Sequence, residues 1–98
     1  MTNEIPEPGL EAFVGEFLED REKDLILVKQ YLEQSDFENL RSYGHKWKGY
    51  SSPYGFGSLE RFAKLLEKAA EENNKEDCHK VLENIQEYLK IKREKLES

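Results

Sequence analysis

Helix-breaking residues are crowded into one short stretch of this chain. Four of its six glycines (Gly44, Gly49, Gly55 and Gly57) and the last of its three prolines, Pro53, fall between residues 44 and 57. Pro6 and Pro8 mark an irregular lead-in over residues 1–8, which leaves residues 9–98 as a single domain. Outside the glycine cluster the chain is rich in Leu, Glu, Lys, Gln and Arg, side chains that lose little freedom in a helix. Such punctuation confines the fold to helices joined by short turns. No window alternates with period two, so no sheet is assigned.

The apolar spacing places four helices. Leu10, Phe13, Val14, Phe17 and Leu18 form one stripe, and Leu25, Val28 and Leu32 continue it a heptad later. This first segment spans about residues 10–34, and its polar interval Glu19–Asp24 is a place for a kink or split. Ser35-Asp36-Phe37-Glu38 fits an S-x-x-E capping box at the start of a second helix. That helix keeps Phe37, Leu40, Gly44, Trp47 and Ser51 on one side and ends before Pro53. Ser58 opens a third, carrying Leu59, Phe62, Ala63, Leu66, Ala69 and Ala70. Asn74, with Asp77 three residues on, caps a fourth that carries Cys78, Val81, Leu82, Ile85, Leu89 and Leu96. Four amphipathic helices with short connections predict an all-α, antiparallel up-down four-helix bundle. The aromatic stripe Phe13, Phe17, Phe37, Trp47 and Phe62 reads as packing.

Charge and length narrow the function. With 98 residues, 21 Asp+Glu against 15 Lys+Arg and a net charge of −6, the chain is one small acidic domain. An acidic surface argues against nucleic acid and anionic membrane as partners. No apolar run approaches the ~18 residues of a membrane span, and the first residues lack the apolar core of a secretion signal. A cytoplasmic monomer is the expectation. One cysteine and two histidines cannot furnish a Cys/His zinc set, so no metal site is expected.

One histidine has a telling setting. Helical residues turn by about 100° each, so Arg41, His45, Lys48, Gly49 and Ser52 share one sector, beside the core sector of Leu40, Gly44, Trp47 and Ser51. His45 should therefore sit at the core's edge with its ring reaching solvent. A neutral imidazole nitrogen is a nucleophile near neutral pH, because histidine titrates near ~6.5. A phosphoryl group on it would be offset by Lys48, one turn on, and Arg41, one turn back. Gly49 costs the helix about 1 kcal/mol relative to alanine, a cost that makes sense where another surface must approach closely. His79 lies among Glu76, Asp77 and Glu83 and reads as a surface histidine, and Cys78 as a small buried hydrophobe.

His45-x-x-Lys48-Gly49-x-Ser51-x-x-x-Gly55, with a small residue before the histidine and Leu59 beyond the turn, resembles the histidine-containing phosphotransfer (HPt) domain of bacterial and fungal phosphorelays. The likeness runs over nearly the whole chain. It implies that His45 is the phosphoacceptor, that Lys48 helps hold the phosphoryl group and that Gly49 clears space for the partner. It also implies that Glu67, by its spacing from the motif, bonds the histidine ring. The carboxylate would fix the tautomer so that the other nitrogen attacks. Trp47, Tyr50, Tyr54 and Phe56 stand where smaller residues are common in the family, which bears on partner choice. Tyr50, Tyr54, Gly49 and Ser52 become docking candidates.

The implied function is a phosphoryl carrier in a two-component relay. His45 would take phosphate from a receiver-domain aspartyl-phosphate and pass it to another receiver aspartate. The chain has no P-loop or glycine-rich nucleotide site, so no kinase activity of its own and no cofactor are expected, with Mg²⁺ on the receiver. Two alternatives stay open: a non-catalytic helical adaptor for a response regulator, and the phosphoaccepting domain of a separate chemotaxis-type histidine kinase. The charge is unevenly placed. Between Asn39 and Leu59 there is no Asp or Glu, and Arg41, Lys46 and Lys48 give that window +3, so the other residues sum to −9, from 21 acids minus 12 bases.

Overall fold

The computed structural model describes residues 4–98 and is helical throughout, with no strand among the described residues. A 3-10 turn at Glu11–Phe13 runs into α1 (Val14–Glu33), followed by α2 (Phe37–Tyr50) and a second 3-10 turn at Ser52–Tyr54. Helices α3 (Gly57–Glu71) and α4 (Lys75–Glu97) complete the chain. Each helix packs on its two neighbours, α1 against α2 and α4, α3 against α2 and α4, with α2 and α3 in the most extensive contact. The result is the up-down four-helix bundle that the periodicity predicts.

The apolar stripes meet inside. Leu18, Val28, Leu40, Trp47, Leu59, Leu66, Cys78 and Ile85 are all but sealed from solvent. Burial pushes the Cys78 thiol up, with Asp77 adding to the shift, so it stays a neutral packing group. Two expected core residues fall outside. Phe13 is 51% exposed because it sits in the 3-10 turn before α1, off the helical register, and Leu96 is 45% exposed on the final turn of α4.

The first segment breaks earlier than its polar interval. Helix α1 runs unbroken through Glu19–Asp24, and the change of geometry comes at Phe13–Val14. The physical reason lies in where Arg21 and Asp24 go. Arg21 Nε donates to Asp24 Oδ2 at 2.9 Å, and the same carboxylate oxygen accepts from Trp47 Nε1 at 3.2 Å. The Arg21 guanidinium also lies over the rings of Phe17 (4.6 Å) and Tyr50 (4.7 Å). These polar residues are partnered between α1 and α2, and nothing forces the helix apart there.

Two turns share one construction. After α1, Ser35 adopts φ +55°, and the N–H groups of Ser35 and Asp36 donate back to the carbonyls of Leu32 and Tyr31. After α3, Asn73 at φ +53° does the same, with Asn73 and Asn74 donating to Ala70 and Ala69. Both are Schellman closures with a left-handed residue that is not glycine. The residue after each then caps the next helix. Asn74 accepts from the Asp77 N–H at 3.0 Å, as expected. For α2 the cap is Asp36, accepting from the Asn39 N–H at 3.2 Å, and not Ser35. Ser35 is taken up in closing α1, so the Ser35–Glu38 box does not form. Ser58 is likewise not a cap: α3 begins at Gly57 behind Phe56, which has no capping side chain.

Candidate functional site

Helix α2 carries His45 on its solvent side and Gly44 on its inner side. A Cβ built on Gly44 would stand 2.9 Å from the Ala63 carbonyl oxygen, 2.9 Å from the Glu67 nitrogen and 3.2 Å from Glu67 Cα. These are backbone atoms and cannot swing away. Glycine at 44 therefore lets α2 and α3 approach until the backbone of Glu67 lies against the turn that carries His45.

That approach assembles three side chains. Glu67 Oε2 lies 3.0 Å from His45 Nδ1, and Oε1 accepts from Lys48 Nζ at 2.8 Å. The Glu67 side chain is 15% exposed and the His45 ring 67% exposed. The Lys48 hydrogen bond foremost, and the His45 ring after it, hold the Glu67 carboxyl below its ordinary value against the opposing effect of burial. An ionised Glu67 accepts only, so in the neutral ring Nδ1 carries the proton and Nε2 carries the lone pair. Among the described residues Nε2 has no protein partner. The arrangement can present an oriented nitrogen nucleophile to a partner in solvent.

A family model described as Hpt domain matches residues 12–95. The chain belongs to the Hpt domain family. That membership places it in two-component phosphorelay signalling, where Hpt domains carry phosphoryl groups by way of histidine and meet receiver domains and histidine kinases. No curated protein and no solved structure matches this Hpt domain.

The other residues singled out in the sequence are placed unequally in the Hpt bundle. Gly49 is exposed, and a Cβ there would meet nothing within 4 Å, so the surface beside His45 is open. Arg41 is exposed, has no ion-pair partner among the described residues, and borders a shallow depression with Phe37, Glu38, Ala70, Glu71 and Asn73. Ser52 begins the 3-10 turn beyond α2. Tyr50 and Tyr54 are half-buried, Tyr54 stacked on Phe17 at 4.4 Å and Tyr50 edge-on to it at 5.8 Å. They flank a depression shared with Phe13, Glu16, Asp20 and Arg21. Among the described residues no helix is long and apolar enough to cross a membrane.

The basic window is less positive than its sequence. Glu67 enters it from α3 and takes Lys48, while the Lys46 ammonium lies 5.0 Å from the centre of the Tyr43 ring. Sequence reasoning also passed over the Arg21–Asp24–Trp47 clamp behind the site. Its signal was available, since Arg21 stands midway between Phe17 and Leu25 in the α1 stripe at successive steps of four.

Proposed function

We propose that residues 9–98 act as one phosphoryl-carrying module in which His45 is the phosphoacceptor, serving receiver domains as donor and acceptor. The observation that carries this reading is the contact at 3.0 Å between Nδ1 of the exposed His45 ring and Glu67, a carboxylate only 15% exposed whose other oxygen is held by Lys48 at 2.8 Å. Glu67 holds the proton on Nδ1, and the Nε2 lone pair attacks the phosphorus of an aspartyl-phosphate in line. The N–P bond forms as the P–O bond to the aspartate breaks, and the electron pair leaves on the receiver's carboxylate. The ring becomes a phosphoimidazolium, and its new positive charge faces the Glu67 carboxylate. Lys48 shifts part of its hydrogen bonding to the phosphoryl oxygens. Return of the group to a second receiver is the reverse of these steps, with Mg²⁺ supplied by the receiver.

Gly49 gives the partner access to Nε2, and Ser52, Tyr50 and Tyr54 extend the docking face, with Arg41 at its far edge. The module works without nucleotide chemistry of its own. The test is incubation with a phosphorylated receiver domain. Wild type acquires acid-labile, base-stable label and His45→Gln does not. Label on His45→Gln at the wild-type level overturns the assignment. Receiver binding that is indifferent to His45→Ala, with no label on wild type, is the outcome for an adaptor. Labelling that requires ATP and a separate kinase domain is the outcome for a chemotaxis-type phosphoacceptor.

A further inference from the structure

Residues 4–7, ahead of α1, are docked rather than loose. Glu4 Oε2 accepts from the Ser58 backbone N–H at 2.7 Å, and Oε1 accepts from the Tyr88 hydroxyl at 2.6 Å. Oε1 also lies 2.8 Å from Lys92 Nζ, which donates to the Gly55 carbonyl at 2.8 Å. Three residues on, the Glu7 N–H donates to the Pro53 carbonyl at 2.8 Å. These contacts converge on one place: the connection between α2 and α3, and the part of α4 that faces it.

Three features suit that connection to a strap. Gly55 has φ +85°, and a Cβ there would stand 2.7 Å from Pro6 N, 2.9 Å from Pro6 Cδ and 3.0 Å from the Glu4 carbonyl oxygen, so only glycine leaves room. Helix α3 starts without a capping side chain of its own, and a carboxylate answers both its unmet N–H groups and its dipole. Burial alone would raise the Glu4 carboxyl, but Lys92, Tyr88 and the Ser58 N–H outweigh it and keep Glu4 ionised. Between the two anchors Ile5 is 77% exposed, so little apolar burial holds the strap and its seating depends on polar contacts.

We propose that residues 4–7 are a detachable latch on the phosphotransfer site. With Glu4 seated, the connection between the helix of His45 and the helix of Glu67 is closed and the Lys48–Glu67–His45 arrangement keeps its register. With Glu4 withdrawn, the hairpin loosens and phosphoryl uptake slows. The last step rests on His45 being the phosphoacceptor; the latch itself does not.

Amide hydrogen exchange read by NMR on the full chain separates the two. In Glu4→Gln, the Ser58 amide is expected to exchange about tenfold faster, the factor for a helix cap worth about 1.4 kcal/mol. The Glu67 amide should follow in the same direction while Val28, in α1, keeps its wild-type rate. Tyr88→Phe, which removes only the hydroxyl, should act in the same direction by a smaller factor. Uptake from a phosphorylated receiver should slow in the order wild type, Tyr88→Phe, Glu4→Gln. A wild-type Ser58 rate in Glu4→Gln overturns the latch. So does a fast Ser58 amide with Glu67 exchange unchanged, which reduces Glu4 to an isolated cap. If wild type takes up no label, the phosphoacceptor reading fails, and the Ser58 and Glu67 rates still decide the latch.

Discussion

The chain's two histidines have nearly the same immediate partner and very different surroundings. His45 Nδ1 lies 3.0 Å from Glu67 and His79 Nδ1 lies 2.9 Å from Glu83, and the two rings are 67% and 62% exposed. The carboxylates differ. Glu83 is 66% exposed and belongs to the same helix as His79, one turn on, a surface pair worth a few tenths of a kcal/mol. Glu67 is 15% exposed, comes from another helix, and has its second oxygen bonded to Lys48. Beside His45 stand open space at Gly49 and a window without acids; beside His79 stand Glu76, Asp77 and Glu83. A histidine–carboxylate contact is therefore no signature of a site by itself. The distinguishing property is a carboxylate whose position and charge are held by groups other than the histidine.

The comparison can be broken most directly at the rings. His45→Gln should abolish phosphoryl uptake, while His79→Gln should leave it at the wild-type level; labelling of the pair of variants with a phosphorylated receiver checks both. Glu67→Gln should slow uptake by roughly tenfold, the order of one lost charge-assisted hydrogen bond, with Glu83→Gln unchanged in a rapid-quench time course. Gly44→Ala should destabilise the bundle by about 1–3 kcal/mol, since its methyl group meets backbone on α3. Thermal unfolding would read this as a loss of roughly 4–8 °C in Tm per kcal/mol.

Lys48→Met should have a smaller effect on rate, and a clear one on titration. Without the ammonium the Glu67 carboxyl rises toward its ordinary value, about 4.5, as followed by carboxyl NMR. The sign for stability follows from the depressed value in the folded chain. Glu67 contributes stability above pH ~4.5, and that contribution is lost as pH falls through its lower folded value. The stability gap between wild type and Lys48→Met should thus close in acid. Smallest of all, His79→Gln and Glu83→Gln should each shift unfolding free energy by no more than about 0.5 kcal/mol in urea titrations.

Much of this was legible from local pattern. Helical periodicity places the four helices and most of their core residues, and a rotation of 100° per residue puts His45 at the core's edge. The Asn74 cap is also readable from N-x-x-D, though Asn73 with Glu76 offers a similar signal one residue earlier and is taken up in closing α3. The Ser35 box fails for a non-local reason. Two overlapping signals, S-x-x-E and D-x-x-N, differ by one residue, and the end of the preceding helix decides between them by taking Ser35 for its own closure. Glu4 was beyond reach for a similar reason, since its partners Ser58 and Tyr88 lie 54 and 84 residues away. Arg21 and Asp24 were passed over as members of a polar interval, because charged residues on a helix are ordinarily solvated, and the packed structure shows Trp47 and two aromatic rings receiving them.

Gly44 has a consequence for anyone who would move this chemistry elsewhere. The three side chains of the proposed site can be grafted onto almost any pair of helices, but ordinary helix pairs stand 8–10 Å apart, with side chains between them. Here the separation is set by a hydrogen atom where a methyl group would otherwise be, and the reach of Glu67 is matched to it. A transplant that copies His45, Lys48 and Glu67 onto a scaffold with alanine at the crossing would carry every reactive atom and still miss its geometry. The minimal portable unit is therefore four residues, and the fourth contributes by having no side chain.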